Sequence, residues 1–128
     1  MIRVLVIDDS KFMANGIKSV LEALDFEVTG MAHDGLEGVA AFEEHRPDVT
    51  LLDITMPNMD GIQCLDRIRE LDEDARVVML SAIRNAETEQ LCLEKGAKGF
   101  INKPIKRGSP SDLARLCEAL ENAVASLE

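Results

Sequence analysis

The sequence predicts an α/β fold: a single doubly wound (βα)5 domain around a parallel sheet of strand order 2-1-3-4-5. Three observations lead there. Short apolar runs rich in β-branched residues recur along the chain, segments with helical spacing separate them, and no Pro/Gly-rich spacer or low-complexity tract interrupts the alternation. A strand buried on both faces reads as an unbroken apolar run, and such strands belong to parallel sheets covered by helices.

Val4-Leu5-Val6-Ile7 is the first such run, with Asp8-Asp9 directly after it. Met13, Ile17, Val20, Leu21 and Leu24 then follow a helical spacing. Phe26-Glu27-Val28-Thr29 alternates as a half-exposed edge strand does, and residues 35–45 form a less regular helix. Val49-Thr50-Leu51-Leu52 is the next buried strand, ending in Asp53, and Ile62, Leu65 and Ile68 mark the helix after it. Val77-Val78-Met79-Leu80 runs into Ser81-Ala82, then comes a helix over 86–95 with Gly96 placed as its C-cap. Gly99-Phe100-Ile101-Asn102 is a short edge strand leading to Lys103-Pro104. Ser109-Pro110-Ser111-Asp112 opens the last helix with a capping Ser, Pro at the first helical position and an acid three residues on. Leu113, Leu116, Cys117, Leu120, Val124 and Leu127 form its apolar stripe. Right-handed crossovers, with the second and fifth strands at the edges, allow the order 2-1-3-4-5.

At 128 residues the chain is expected to be one domain, residues 1–128. Its 14 Lys and Arg against 24 Asp and Glu give a formal charge of -10. Such a surface repels phosphate backbones and anionic membranes, so proteins and cations are the expected partners, not nucleic acid or membrane. Cys64, Cys92 and Cys117 are odd in number and widely spaced, which suits reduced, apolar packing and neither a zinc site nor a disulfide framework. The apolar run at the start is far too short for a signal peptide or membrane span, and a cytoplasmic location is expected. His33 and His45 lack metal-like spacing and read as surface residues.

Ligands of doubly wound sheets bind beyond the carboxyl ends of the strands, where the order reverses. Those ends carry Asp8-Asp9, Asp53, Ser81 and, on the fifth strand, Asn102-Lys103-Pro104. Any one of them alone would pass for a cap or turn residue. Together they bring three carboxylates, a hydroxyl and an ammonium to one rim. Crowded carboxylates raise each other's pKa, and a hard divalent cation relieves that. Oxygen-only ligands select Mg²⁺, with Mn²⁺ as the alternative. Cation, ammonium and hydroxyl can neutralise the oxygens of a phosphoryl group in transfer, and Asp53, on the middle strand, is the candidate nucleophile.

The blocks "VLVIDDS", "LLDITMPNMDG", "VVMLSA" and "GFINKP" resemble the signature of response-regulator receiver domains, over essentially the whole chain. The opening "DDSKFM" is similar to the single-domain chemotaxis type. The resemblance implies the flavodoxin-like fold and the 2-1-3-4-5 order. It implies that Asp53 takes a phosphoryl group from the phosphohistidine of a sensor kinase or phosphotransfer protein. Asp9, Asp53 and the Thr55 backbone carbonyl would hold Mg²⁺ directly, and Asp8 through water. Lys103, before a cis bond to Pro104, would ion-pair with the acyl phosphate, and Ser81 would swing in to bond it. Phe100 would then turn inward, reshaping the face of the fourth helix, fifth strand and fifth helix toward a downstream protein. Enzymology is confined to self-phosphorylation and self-dephosphorylation, and a monomer is expected.

The sequence departs from the family in places. Phe100 stands where many chemotaxis receivers have Tyr, so a contact through that hydroxyl is lost. Thr55 and Ile83 occupy positions that tune hydrolysis in receivers, and the bulk of Ile83 is expected to shield the acyl phosphate. Ile105-Lys106-Arg107-Gly108 is longer than usual, and its basic pair is either solvated or a partner contact. Two other readings remain: the receiver part of a larger DNA-binding regulator, or an aspartyl-phosphate-type phosphatase. The chain ends with its last helix, which favours a stand-alone domain over the first. A phosphatase of that type carries a second Asp two residues after its nucleophile, where this chain has Thr55, and a cap domain for which there is no room. No P-loop or dinucleotide-binding glycine motif occurs. Pro57 and Gly61 are explained equally well by turn chemistry.

Overall fold

The computed structural model describes residues 1–125, so Leu127 of the last apolar stripe lies outside the described residues. Five strands alternate with five helices: β1 (Arg3–Ile7), α1 (Lys11–Ala23), β2 (Glu27–Ala32), α2 (Gly35–His45), β3 (Val49–Asp53), α3 (Gly61–Leu71), β4 (Val77–Ser81), α4 (Ala86–Glu94), β5 (Gly99–Asn102) and α5 (Pro110–Ala125). All pairings are parallel and the sheet order is β2-β1-β3-β4-β5, as predicted.

Alternate strand residues face opposite sides of a sheet, and each side has its own core. On one side Val4, Val6, Leu51, Val78, Leu80 and Ile101 pack against Ile17 and Leu21 of α1 and Leu116 and Leu120 of α5. On the other, Leu5, Ile7, Leu52, Val77 and Met79 meet Phe42 of α2, Leu65 and Ile68 of α3 and Cys92 of α4. Burying each large side chain contributes about 1.5–3 kcal/mol relative to exposure, so these two layers dominate the favourable side of folding. Cys64 and Cys92 are fully buried and Cys117 partly so; all three are free thiols. Burial raises the Cys64 pKa to about 12, which keeps that thiol protonated.

Every helix starts on the side where the strands end, and its first turn is capped there. Ser10, Asp34, Asp60 and Asn85 accept from the third backbone N–H beyond them, and the Ser109 hydroxyl accepts from Asp112. At α3 the cap is reciprocal, since the Gln63 side chain accepts from the Asp60 N–H in return. The C-cap of α4 is Lys95, and Gly96, expected as the cap, is the residue after it, at the left-handed φ of +101.

Two expectations shift. The second strand runs to Ala32 rather than Thr29, because β1 and β2 slip by one residue between Val4 and Leu5. Thr29 is the unpaired residue of that bulge, and the Arg3 guanidinium donates to its hydroxyl at 2.8 Å. The His45 ring then lies over Gly30, where a Cβ would come within 2.7 Å of it, so His45 is half-buried rather than a surface residue.

The weakest element is α4. Only Cys92 of this helix is buried, while Leu91 and Leu93 stay exposed. Its C-terminal end is tied to α3 by Lys95, whose Nζ donates to both oxygens of Asp66 at 3.0 and 3.2 Å. Among the described residues, no helix is long and apolar enough to cross a membrane.

Candidate functional site

Two central strands bring the principal carboxylates together. Asp8, the first residue past β1, is 1% exposed, and its N–H continues the ladder by donating to Ala32 O. Asp53 is the last residue of β3 and 6% exposed. Asp9 sits beside them in solvent, and one carboxylate oxygen from each of the three lies within 4.8 Å of the others. Although β1 and β3 are far apart in sequence, they are neighbours in the sheet, which is what the predicted order requires.

Lys103 enters from the end of β5. Its Nζ donates to Asp8 Oδ2 at 2.9 Å and stands 3.4 Å from Asp53 Oδ1. The other Asp8 oxygen accepts from the Ser10 N–H at 3.0 Å. Burial pushes the Asp53 carboxyl up to about 6; Lys103 opposes that rise, and the Asp8 and Asp9 carboxylates add to it. Burial works against the charge on Lys103, but its bond to Asp8 and the nearby charges of Asp53 and Asp8 outweigh it and raise its pKa. The Lys103-Pro104 bond is cis.

The loop after Asp53 is shaped by backbone constraints. A Cβ on Gly61 would sit 2.2 Å from the Asp53 carbonyl oxygen and 2.6 Å from Ile54 Cα. The Gly61 N–H donates to Ile54 O at 2.7 Å, closing the loop on itself. Asn58 takes a left-handed φ of 67, and its amide reaches Asp34 at the start of α2. Thr55 is exposed within this loop and Met56 buried. Turn chemistry alone therefore does not account for Gly61; the close approach of α3 to the end of β3 requires it.

Ser81, the last residue of β4, is 2% exposed. Its hydroxyl donates to Ile83 O at 3.1 Å and accepts from the Ile83 N–H at 3.0 Å. Phe100 is half-buried, against one core layer and beside a groove between β5 and α5. The sequence-selected residues thus gather on one rim, with Phe100 further back along β5.

The contacts of three residues were not foreseen from the sequence. His33 is half-buried, not a surface residue, and its Nδ1 lies 3.0 Å from the Asp8 carbonyl oxygen. Asn102 donates to Ile83 O at 3.4 Å. Phe12, at the start of α1, is 86% exposed beside a groove of about 280 Å³ lined by Gly16, Ile17, Leu80, Lys103 and Arg107. None carries a short-range sequence signal, because each contact depends on a neighbour supplied by the fold. Arg107 is likewise not merely solvated: its guanidinium donates to Ser19 Oγ at 2.9 Å, folding the long loop back onto α1.

Fold and rim define a doubly wound α/β domain with an oxygen-rich pocket centred on one buried strand-end aspartate. The chain belongs to the response regulator receiver domain family, whose model matches residues 4–116. It is 42% identical over 123 residues to the chemotaxis protein CheY of Listeria monocytogenes, covering 96% of this chain and 98% of that protein. Among solved structures it is similar to the CheX-CheY-BeF3-Mg complex of Borrelia burgdorferi, with a TM-score of 0.83, 36% identity and coverage of 99% of this chain and 90% of that one. The response regulator domain of Thermotoga maritima CheB matches at a TM-score of 0.86 and 37% identity, covering 98% of this chain and 97% of that one.

Proposed function

We propose that Asp53 is the phosphoacceptor of a two-component signalling switch, and that residues 1–128 form its receiver domain. The observation that carries this is the Asp8, Asp9 and Asp53 cluster, with Lys103 Nζ at 2.9 Å from Asp8 and 3.4 Å from Asp53. In the transfer, an Asp53 carboxylate oxygen forms a bond to phosphorus as the phosphorus–nitrogen bond of a donor phosphohistidine breaks. The donor imidazole leaves with the bonding electron pair. Hydrolysis of the resulting acyl phosphate returns inorganic phosphate and the free carboxylate. Asp53 is thus consumed and restored once per cycle, as befits a switch rather than an enzyme with turnover.

Three carboxylates without thiolate or imidazole suit a hard divalent cation; the Asp53 pKa is raised chiefly by burial, and the Asp8 and Asp9 carboxylates add to that rise. Asp9, Asp53 and the Thr55 carbonyl would hold Mg²⁺, or Mn²⁺, with Asp8 acting through water. The cation would offset negative charge on the transferring oxygens. Lys103 already faces Asp53 and would pair with the acyl phosphate, while Ser81 would turn to donate to it. Ile83 would shield it from water, and Phe100 would relay the change along β5.

The partners follow from the surfaces. A sensor histidine kinase or phosphotransfer protein would dock beside Phe12, where the groove opens next to Lys103 and its charged walls, Lys103 and Arg107, are both cationic on an acidic chain. The face of α4, β5 and α5 would meet the downstream protein, and the relatives favour a chemotaxis output. The domain would act as a cytoplasmic monomer.

The test is intact-protein mass after incubation with acetyl phosphate and Mg²⁺, beside EDTA and Asp53→Asn controls. A single phosphoryl adduct that needs Mg²⁺ and vanishes in the variant is expected. No adduct on folded protein, with short lifetimes checked by beryllofluoride, would overturn the proposal.

A further inference from the structure

The Ile83 backbone carbonyl accepts from two side chains near the site. The Ser81 hydroxyl reaches it at 3.1 Å and the Asn102 amide at 3.4 Å. A serine hydroxyl has a single hydrogen to donate, whereas a carbonyl oxygen has two lone pairs to accept with. The arrangement is therefore stable as it stands, but Ser81 cannot keep it while donating to a phosphoryl oxygen on Asp53. When Ser81 turns, the Ile83 carbonyl loses its nearer donor.

Asn102 is placed to take over. It is the register partner of Ser81 across β4 and β5, and the next N–H, that of Lys103, donates to Ser81 O at 2.8 Å. Strand pairing thus fixes the Asn102 backbone beside Ser81 and next to Lys103, whose Nζ faces Asp53, while its amide reaches forward over the loop. Residues 82–85 are otherwise exposed, and α4 beyond them buries only Cys92. Little else anchors this segment.

We infer that Asn102 is a positioning residue: its amide holds the Ile83 carbonyl when Ser81 leaves it, keeping the segment from β4 to α4 closed over a phosphorylated Asp53. The inference rests on the reading of Asp53 as phosphoacceptor. The Ile83 side chain then keeps attacking water out for as long as Asn102 holds its backbone. Loss of the amide frees the segment at the moment the acyl phosphate needs cover.

Asn102→Val removes the donor at similar size. In the full chain, loaded with acetyl phosphate and Mg²⁺ and followed by intact mass, its adduct is expected to decay about three- to tenfold faster, the rate equivalent of one hydrogen bond. In an Ile83→Ala background the same substitution is expected to add nothing, because the group it positions is gone. A second readout needs neither metal nor phosphate: amide exchange across residues 82–85. There Asn102→Val is expected to raise exchange more in a Ser81→Ala background than in the parent. Unchanged decay in the single variant, full multiplication of effects in the double variant, or equal exchange increments in both backgrounds would each overturn the inference. Absence of any adduct on the parent chain would remove the phosphoacceptor reading and this inference with it, while the exchange experiment would still report whether Asn102 grips the segment.

Discussion

Gly61 presses its bare Cα against the backbone carbonyl of Asp53, so closely that a methyl group there would lie 2.2 Å from the oxygen. The first turn of α3 and the last residue of β3 are therefore one rigid unit. Gly61→Ala forces backbone against backbone, where no side-chain rotation relieves the overlap. It is expected to destabilise the fold by about 2 kcal/mol or more and to move Asp53 relative to Lys103. A urea midpoint equal to that of the parent would contradict this.

Gly16 predicts the opposite sign. It lies in the interior of α1, and a Cβ there meets nothing within 4 Å. Gly16→Ala is expected to stabilise the protein by about 0.5–1 kcal/mol, through lost freedom of the unfolded chain and better helix propensity. Thermal or urea unfolding of the variant gives the answer directly.

Among the described residues, Lys103 is the only cation within salt-bridge distance of the buried Asp8 and Asp53. Removing it leaves two buried carboxylates facing each other without compensation, which typically costs about 3–5 kcal/mol. Lys103→Ala is expected to lose that order of stability without divalent cation and to recover part of it when Mg²⁺ is added. Equal unfolding midpoints with EDTA and with Mg²⁺ would argue against a cation-binding cluster.

The Asp53 carboxyl sets a pH dependence with an unusual sign. Its pKa rises from 3.8 to about 6 on folding, so between those values the folded chain binds the proton more firmly than the unfolded chain. Stability from this group is therefore greatest at low pH and falls as pH rises through the window, by up to about 3 kcal/mol. Other carboxylates contribute with the opposite sign, so the comparison is with Asp53→Asn. The variant is expected to be more stable than the parent at pH 7 in EDTA, with the difference shrinking toward pH 4. A difference that did not vary with pH would show that Asp53 is not held at a raised pKa.

The strands could be read from the sequence because central parallel strands are apolar on both faces, so Val4–Ile7, Val49–Leu52 and Val77–Leu80 stand out without reference to neighbours. The gathering of the candidate site on one rim was equally legible, since Asp8, Asp9, Asp53, Ser81 and Lys103 each follow such a run or its edge counterpart. What escaped was set by contacts across the fold. The length of β2 depends on a bulge opposite Val4 and Leu5, and the need for Gly61 on the nearness of a carbonyl. The burial of His33 and His45 depends on Asp8 and Gly30, neither adjacent to them in sequence. No periodicity records such pairings.

The pairing of β1 with β3 has a consequence for quality control. Asp8 and Asp53 meet only because two strands separated in the chain by α1, β2 and α2 lie side by side. A chain arrested before that pairing forms owns every residue of the pocket and none of its geometry. If Asp53 is the phosphoacceptor proposed above, such a chain would draw no phosphoryl group from a donor, and incomplete copies would stay silent instead of competing for phosphate.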